Sequence, residues 1–162
     1  MTLAIRPATP ADIPLIAALI RELAEYERLL DKVRFDEAEL ERHLFGTDPA
    51  AEVLVGELDG TPQGMALFFR NFSTFEGRPG IYLEDLYVRP DSRGNGLGKA
   101  LIAAVAQIAV ARGYARFEWA VLDWNEPAIA FYRSFGAKMM EDWRIMRLEG
   151  EELARMGRFT GT

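Results

Sequence analysis

The chain has 162 residues, enough for one domain with a sizeable core, and 49% of them are apolar and 27% charged, as in an ordinary globular protein. It has no cysteine and a single histidine, His43, which excludes disulfides, thiolate or histidine-rich metal sites and a cysteine nucleophile. The net charge of −6 disfavours general nucleic-acid binding and favours cationic ligands, and no apolar run is long enough to span a membrane. Arg6, Pro7 and Asp12 interrupt any signal-peptide pattern, so the expectation is a cytoplasmic protein with no metal, no membrane and no nucleic-acid partner.

Residues 3–6 alternate as a short strand, and Thr9-Pro10-Ala11-Asp12 predicts a helix start with Thr9 as N-cap and Pro10 in the first turn. Ile13, Ile16, Ile20 and Leu23 give that helix one apolar face, and it ends in polar Glu25-Tyr26-Glu27-Arg28. A second helix over 36–45 pairs Leu40 with Leu44 and stops at Gly46; His43 lies on its solvated face. Residues 52–58 and 64–72 read as strands of a hairpin around Asp59-Gly60. Gly77, Pro79 and Gly80 make 73–80 a loop before a strand over 81–88. Leu97, Leu101, Val105 and Ile108 line a third helix closed by Gly113, and 117–122 forms another strand. A helix from Pro127 runs through Phe131 and Phe135 to Gly136, and Met139-Met140 reads as packing. A last strand over 143–148 and a short helix over 151–156 follow. We expect one domain over 1–157, a frayed tail over 158–162, and an α/β (α+β) fold. Its sheet should be mixed and mostly antiparallel, with helices on both faces.

The chemistry gathers at 84–99. Leu86-Tyr87-Val88 ends a strand, Pro90-Asp91 turns, and Gly94, Gly96 and Gly98 alternate where a helix begins. Such a turn lets the backbone approach a ligand closely, and the free N–H groups at a helix start suit phosphates. It is not a P-loop, because Arg93 stands where the first glycine belongs and Ala100 replaces the metal-binding hydroxyl. Nor is it a Rossmann turn, because the third glycine comes one residue early and the motif lies mid-chain.

The remaining pattern, Arg-x-x-Gly-x-Gly over 93–98, resembles the acetyl-CoA signature of the GNAT N-acetyltransferase superfamily. Further segments resemble its diamine acetyltransferase branch, the spermidine/spermine N-acetyltransferases with their thialysine-acetylating relatives. These segments are Arg6-Pro7-Ala8-Thr9, Glu22-Leu23-Ala24-Glu25-Tyr26-Glu27, Tyr82-Leu83-Glu84-Asp85, Trp124-Asn125-Glu126-Pro127 through Phe131-Tyr132 to Gly136-Ala137, and Trp143-Arg144.

The resemblance implies acetyl-CoA as co-substrate and a GNAT-type sheet. The backbone of Leu86, Tyr87 and Val88 would pair with the pantetheine arm, the amides of Gly94, Asn95, Gly96, Leu97, Gly98 and Lys99 would hold the pyrophosphate, and Arg93 would add charge. Asn125 matches a residue near the cofactor and also suits an N-cap. Tyr132 is the expected general acid for the departing thiolate, since a phenol keeps its proton at neutral pH. Glu84 is the expected acceptor of the amine proton, with Asp85 alternating to the other strand face. Tyr26, Glu27, Glu84, Glu118 and Trp143 are the expected substrate contacts, and Glu141 and Asp142 stand where polyamine enzymes carry acids.

The implied function is acetyl transfer to the primary amine of a small cationic substrate, a polyamine, diamine or thialysine-like amino acid, by direct attack within a homodimer. The short segment before Trp143 argues against assuming spermidine. The alternatives are a non-catalytic acyl-CoA sensor, which would need the glycines but not Tyr132 or Glu84, and a protein or peptide N-acetyltransferase.

Overall fold

The computed structural model describes residues 1–161. They form two compact units, residues 1–122 and the part that begins at Asp123.

The first unit is a five-stranded sheet in the order β1-β2-β3-β4-β5, with strands Leu3–Pro7, Glu52–Leu58, Thr61–Ser73, Arg78–Val88 and Phe117–Trp119. The first four pair antiparallel and only β4 with β5 is parallel, as expected for a mixed sheet. The β2–β3 hairpin turns at Asp59 and Gly60, both with positive φ (49° and 76°), the left-handed turn that this dipeptide favours.

Helices cover both faces. A 3₁₀ turn at Pro10–Asp12 leads into α1, Ile13–Tyr26. Asp12 accepts the Thr9 N–H and both terminal nitrogens of Arg6, so it ties the helix start to β1. With α2, Glu37–Phe45, α1 buries Ile13, Ile16, Leu19 and Leu44 against Val53, Met65, Leu67 and Tyr87. Asp36 caps α2 by accepting the Glu39 N–H at 2.8 Å. The opposite face carries α3, Leu97–Ala111. There Gly56 leaves room for close approach, since a Cβ would sit 2.8 Å from a Leu97 methyl. No described helix is long and apolar enough to cross a membrane.

Three expectations about the sheet are corrected, two in their bounds and one outright. The loop over 73–80 is shorter, because β3 and β4 stay paired out to Ser73↔Arg78. Pro79 fits because its missing N–H falls on the edge where pairing with β5 starts only at Ile81. The strand over 117–122 ends at Trp119, whose partner Leu83 directly precedes a bulge at Glu84. The strand over 143–148 does not form. Trp143, Ile145, Met146 and Leu148 are exposed instead. Alternation provides an apolar face, but a strand also needs a hydrogen-bonded neighbour.

The second unit contains α4, Glu126–Arg133, and α5, Gly150–Gly157. Asn125 caps α4 through the Ala128 N–H at 3.3 Å, and Gly136 has the φ of 94° that ends the turn after it. Met139 and Met140 are exposed rather than packed, because the segment that carries them joins no ladder. Thr162, the last residue of the expected tail, lies outside the described residues.

Candidate active site

The site is built on the last half of β4. Leu67 and Phe68 of β3 face Asp85 and Leu83, so Glu84 is the extra residue of a β-bulge. Bulges bend a strand and re-aim its side chains. Past the bulge, β4 keeps β3 on one side and, among the described residues, has no strand on the other, since β5 pairs only with Ile81–Leu83. Backbone groups alternate between the two edges of a strand. A Cβ on Gly64 would meet the Tyr87 carbonyl oxygen at 2.6 Å, and the Arg89 N–H donates to Gln63 at 2.9 Å. Tyr87 and Arg89 therefore face β3, and Leu86 and Val88 turn their N–H and C=O groups to the open edge.

That edge runs into the glycine turn. A 3₁₀ turn at Pro90–Ser92 leads to Gly94 and Gly96, whose φ values of 81° and 83° lie in the left-handed region. A Cβ at either would meet nothing within 4 Å, so conformation and free space, not crowding, call for glycine here. Gly96 is the N-cap of the 15-residue α3, and Leu97, Gly98 and Lys99 form its first turn. Their N–H groups precede the first intrahelical acceptors and point out of the helix end, where the dipole is positive. An anion at the end of an open strand edge is the arrangement that this turn offers.

Acids gather at the other end of the edge. Glu84 is exposed, whereas Asp85 is half-buried and its carboxyl is pushed up to about 7, by burial first and then by the negative charges of Glu84 and Glu27. Burial also pushes the Glu27 carboxyl up. Tyr82 pairs with Glu118 across β4 and β5, and burial, then Glu84, then Glu118, raise its phenol. The expected substrate residues Glu27, Glu84 and Glu118 thus belong to one negative field, which favours a cation. Tyr26 is at the end of α1, with the Arg93 guanidinium 5.0 Å from its ring centre.

Sequence reasoning missed Asp85. The alternation that set it apart from Glu84 breaks at the bulge, which no residue pattern in 81–88 announces. It also missed Glu22 and Arg89, which pair at 3.0 Å and tie α1 to the end of β4. Arg93 is not a free loop cation, because its Nε donates to the Val88 carbonyl at 2.9 Å. His43 is exposed beside Arg42 on α2.

The second unit carries the other expected residues. Asn125 is buried in its capping role, and Tyr132 is half-buried, its ring 5.4 Å from Phe131 and 6.2 Å from Phe135. Trp143 is 74% exposed. Among the described residues no group of three or more His, Cys, Asp or Glu could hold a metal ion.

The acetyltransferase (GNAT) family profile matches residues 16–137, which span both units. The chain belongs to the GNAT acetyltransferase family. It is 41% identical to the thialysine N-epsilon-acetyltransferase of Sus scrofa, over 94% of this chain and 95% of that protein. It is 33% identical to the L-ornithine N5-acetyltransferase of Arabidopsis thaliana, over 92% and 85% of the two chains. Among solved structures, an integron cassette protein from the mobile metagenome of V. cholerae superposes with a TM-score of 0.81 at 25% identity, covering 98% of this chain and 99% of that one. The protein is therefore an acyltransferase enzyme of the N-acetyltransferase type, with the mixed GNAT sheet. GNAT acetyltransferases use acetyl-CoA, and the open β4 edge ending at the N-terminus of α3 has the donors and acceptors to fit it.

Proposed function

We propose that this protein moves the acetyl group of acetyl-CoA to the primary amine of a small cationic substrate, within one GNAT domain over residues 1–157. The observation that carries the reading is the β4 edge, which joins a phosphate-suited turn at one end to an acid cluster at the other. The pantetheine arm adds to Leu86 and Val88 as a strand would, the pyrophosphate meets the amides of 94–99, and the thioester lies toward Glu84. Asn125 contributes beside the cofactor.

A protonated alkyl amine, with a pKa of about 10.4, must lose a proton before it attacks. Its nitrogen then bonds to the thioester carbonyl carbon, the C–S bond breaks, the CoA thiolate takes the Tyr132 proton, and the second proton of that nitrogen returns to the Tyr132 phenolate as the amide forms. Glu84 is the accessible acceptor of the amine proton. Asp85, with its carboxyl at about 7, is the acid beside it and changes charge near neutral pH. Tyr26, Glu27, Glu118 and Trp143 hold the rest of the substrate.

The names of the relatives favour amino acids with a distal amine, thialysine and ornithine, over polyamines. Homodimerisation is part of the proposal. It is supported by the exposed, strand-like segment 143–148, which carries Trp143 and joins no ladder.

A substrate panel with acetyl-CoA, reading free-thiol release, tests the function. We expect the highest kcat/KM with thialysine or ornithine and lower values with lysine, diamines and spermidine. Absence of amine-dependent thiol release would leave a non-catalytic acyl-CoA sensor, and turnover confined to peptides would make it a protein acetyltransferase. Size-exclusion chromatography with light scattering tests the dimer.

The two acids separate by pH. If Asp85 takes the proton, kcat/KM rises with pH through a limb near 7. Asp85→Asn abolishes the limb, and Glu84→Gln moves it to lower pH, because a neighbouring negative charge is gone. If Glu84 takes it, Glu84→Gln abolishes the limb.

A further inference from the structure

Arg93 heads the glycine turn, where the simplest role for a cation is to face a phosphate. Its side chain is committed elsewhere. Nε donates to the Val88 carbonyl at 2.9 Å, and the guanidinium carbon lies 5.0 Å from the Tyr26 ring centre and 5.7 Å from that of Tyr87. The hydrogen bond fixes the side chain, and the two rings flank a planar cation in a way that only arginine among the basic residues suits well.

The choice of acceptor matters. Val88 turns its backbone groups to the open edge of β4, the edge available for an added strand. With its carbonyl taken by Arg93, the free positions there are the Leu86 N–H and C=O and the Val88 N–H. An added chain is therefore favoured in the register that uses these groups. Tyr26 adds a second consequence. It precedes Glu27, whose charge reaches Asp85, so the arginine also links the closed end of the edge to the acid cluster. The Glu22–Arg89 pair at 3.0 Å holds α1 to β4 at the same place.

We propose that Arg93 is a positioning residue that ends the pantetheine-binding edge of β4 by occupying the Val88 carbonyl and clasping it to Tyr26 of α1. The proposal rests on the acetyl-CoA reading. It differs from a counter-charge role in what should matter: a donor at the Nε position, not the positive charge as such.

Three variants and two acyl donors test it. Glutamine carries an N–H donor at the same place along the side chain as arginine Nε, but no charge. Lysine keeps the charge one atom further out, and methionine has neither. Acetyl-pantetheine has the thioester arm without the pyrophosphate. Loss of one hydrogen bond to a backbone acceptor predicts that Arg93→Met lowers kcat/KM by roughly tenfold with both acetyl-CoA and acetyl-pantetheine. Arg93→Gln should restore it to within about threefold and Arg93→Lys should not. The fall should lie mainly in KM for the donor.

A loss confined to acetyl-CoA, restored by lysine and not by glutamine, would overturn the proposal in favour of a pyrophosphate counter-charge. Equal activity of all three variants with both donors would also overturn it. Wild-type protein that binds neither CoA nor pantetheine by calorimetry would remove the acetyl-CoA reading itself, a failure recognisable before any variant is made. Melting temperatures of the three variants, expected within a few degrees of one another because the side chain is exposed, separate positioning from misfolding.

Discussion

Residues 1–122 and residues 123–161 answer the same sequence rules differently. In the first unit each amphipathic pattern finds a partner. The apolar stripe of α1 meets β2, β3 and β4, and Leu97 and Leu101 of α3 meet the other sheet face at Gly56. In the second unit local signals are equally clear and the helices form as they dictate, yet only Asn125 and Ile129 are buried among the described residues. The contrast teaches that capping and turn chemistry act within a few residues, whereas burial depends on which surface a pattern meets.

The sharpest way to test that contrast is to show that the sparsely buried unit carries the chemistry. Tyr132→Phe should lower kcat by about 10²–10⁴ while CoA binding measured by calorimetry persists. Full activity would remove Tyr132 as the general acid. Next, the well-packed unit should be sensitive where the other is not. Leu101 is fully buried, so Leu101→Ala should cost about 2–5 kcal/mol in urea unfolding.

Asp12 gives an acid-side test in the first unit. Its hydrogen bond with Arg6 holds its carboxyl down at about 2, against an ordinary 3.8. A depressed carboxylate contributes stability above its unfolded value, which is lost as pH falls through the folded one. The window is therefore about pH 4 down to 2, worth roughly 2 kcal/mol. Asp12→Asn should flatten that part of the stability profile and leave its slope above pH 5 unchanged. Asp85 has the opposite sign. Its raised carboxyl contributes stability that is present below 3.8 and lost as pH rises through about 7, so Asp85→Asn should gain stability relative to wild type at pH 8. The smallest effect belongs to the second unit, where Met146 is 91% exposed and Met146→Ser should change stability by less than about 0.5 kcal/mol in the monomer. A larger loss that depends on protein concentration would reveal a partner copy covering the segment.

Much of the local structure of the candidate site was legible because its signals are covalently close. Gly94 and Gly96 need left-handed backbone, and Gly96 caps the helix whose first apolar residue is Leu97. Asn125 caps the helix that carries Tyr132, three residues from the Ala128 N–H that it accepts. Glu84 is named through the resemblance of Tyr82-Leu83-Glu84-Asp85, and Asp85 is set apart from it by an alternation that the bulge breaks, because a bulge results from pairing two strands out of step. Its raised carboxyl needs Glu27, which is distant in the chain and comes near only when α1 lies on β4.

By itself, the sequence determined the helices and their caps, the hairpin at Asp59-Gly60, the anion-suited turn at 94–98 and the family. Each depends on neighbours within a turn or on spacing that a chain carries unfolded. Only tertiary structure decided where strands stop and which charges act together. β5 ends at Trp119 because β4 bulges after Leu83, and 143–148 is no strand because hydrogen bonds in a sheet are made between segments, not within them. Arg93, legible as a phosphate cation, is turned to Val88 and Tyr26 because folding brings a carbonyl and a ring within its reach.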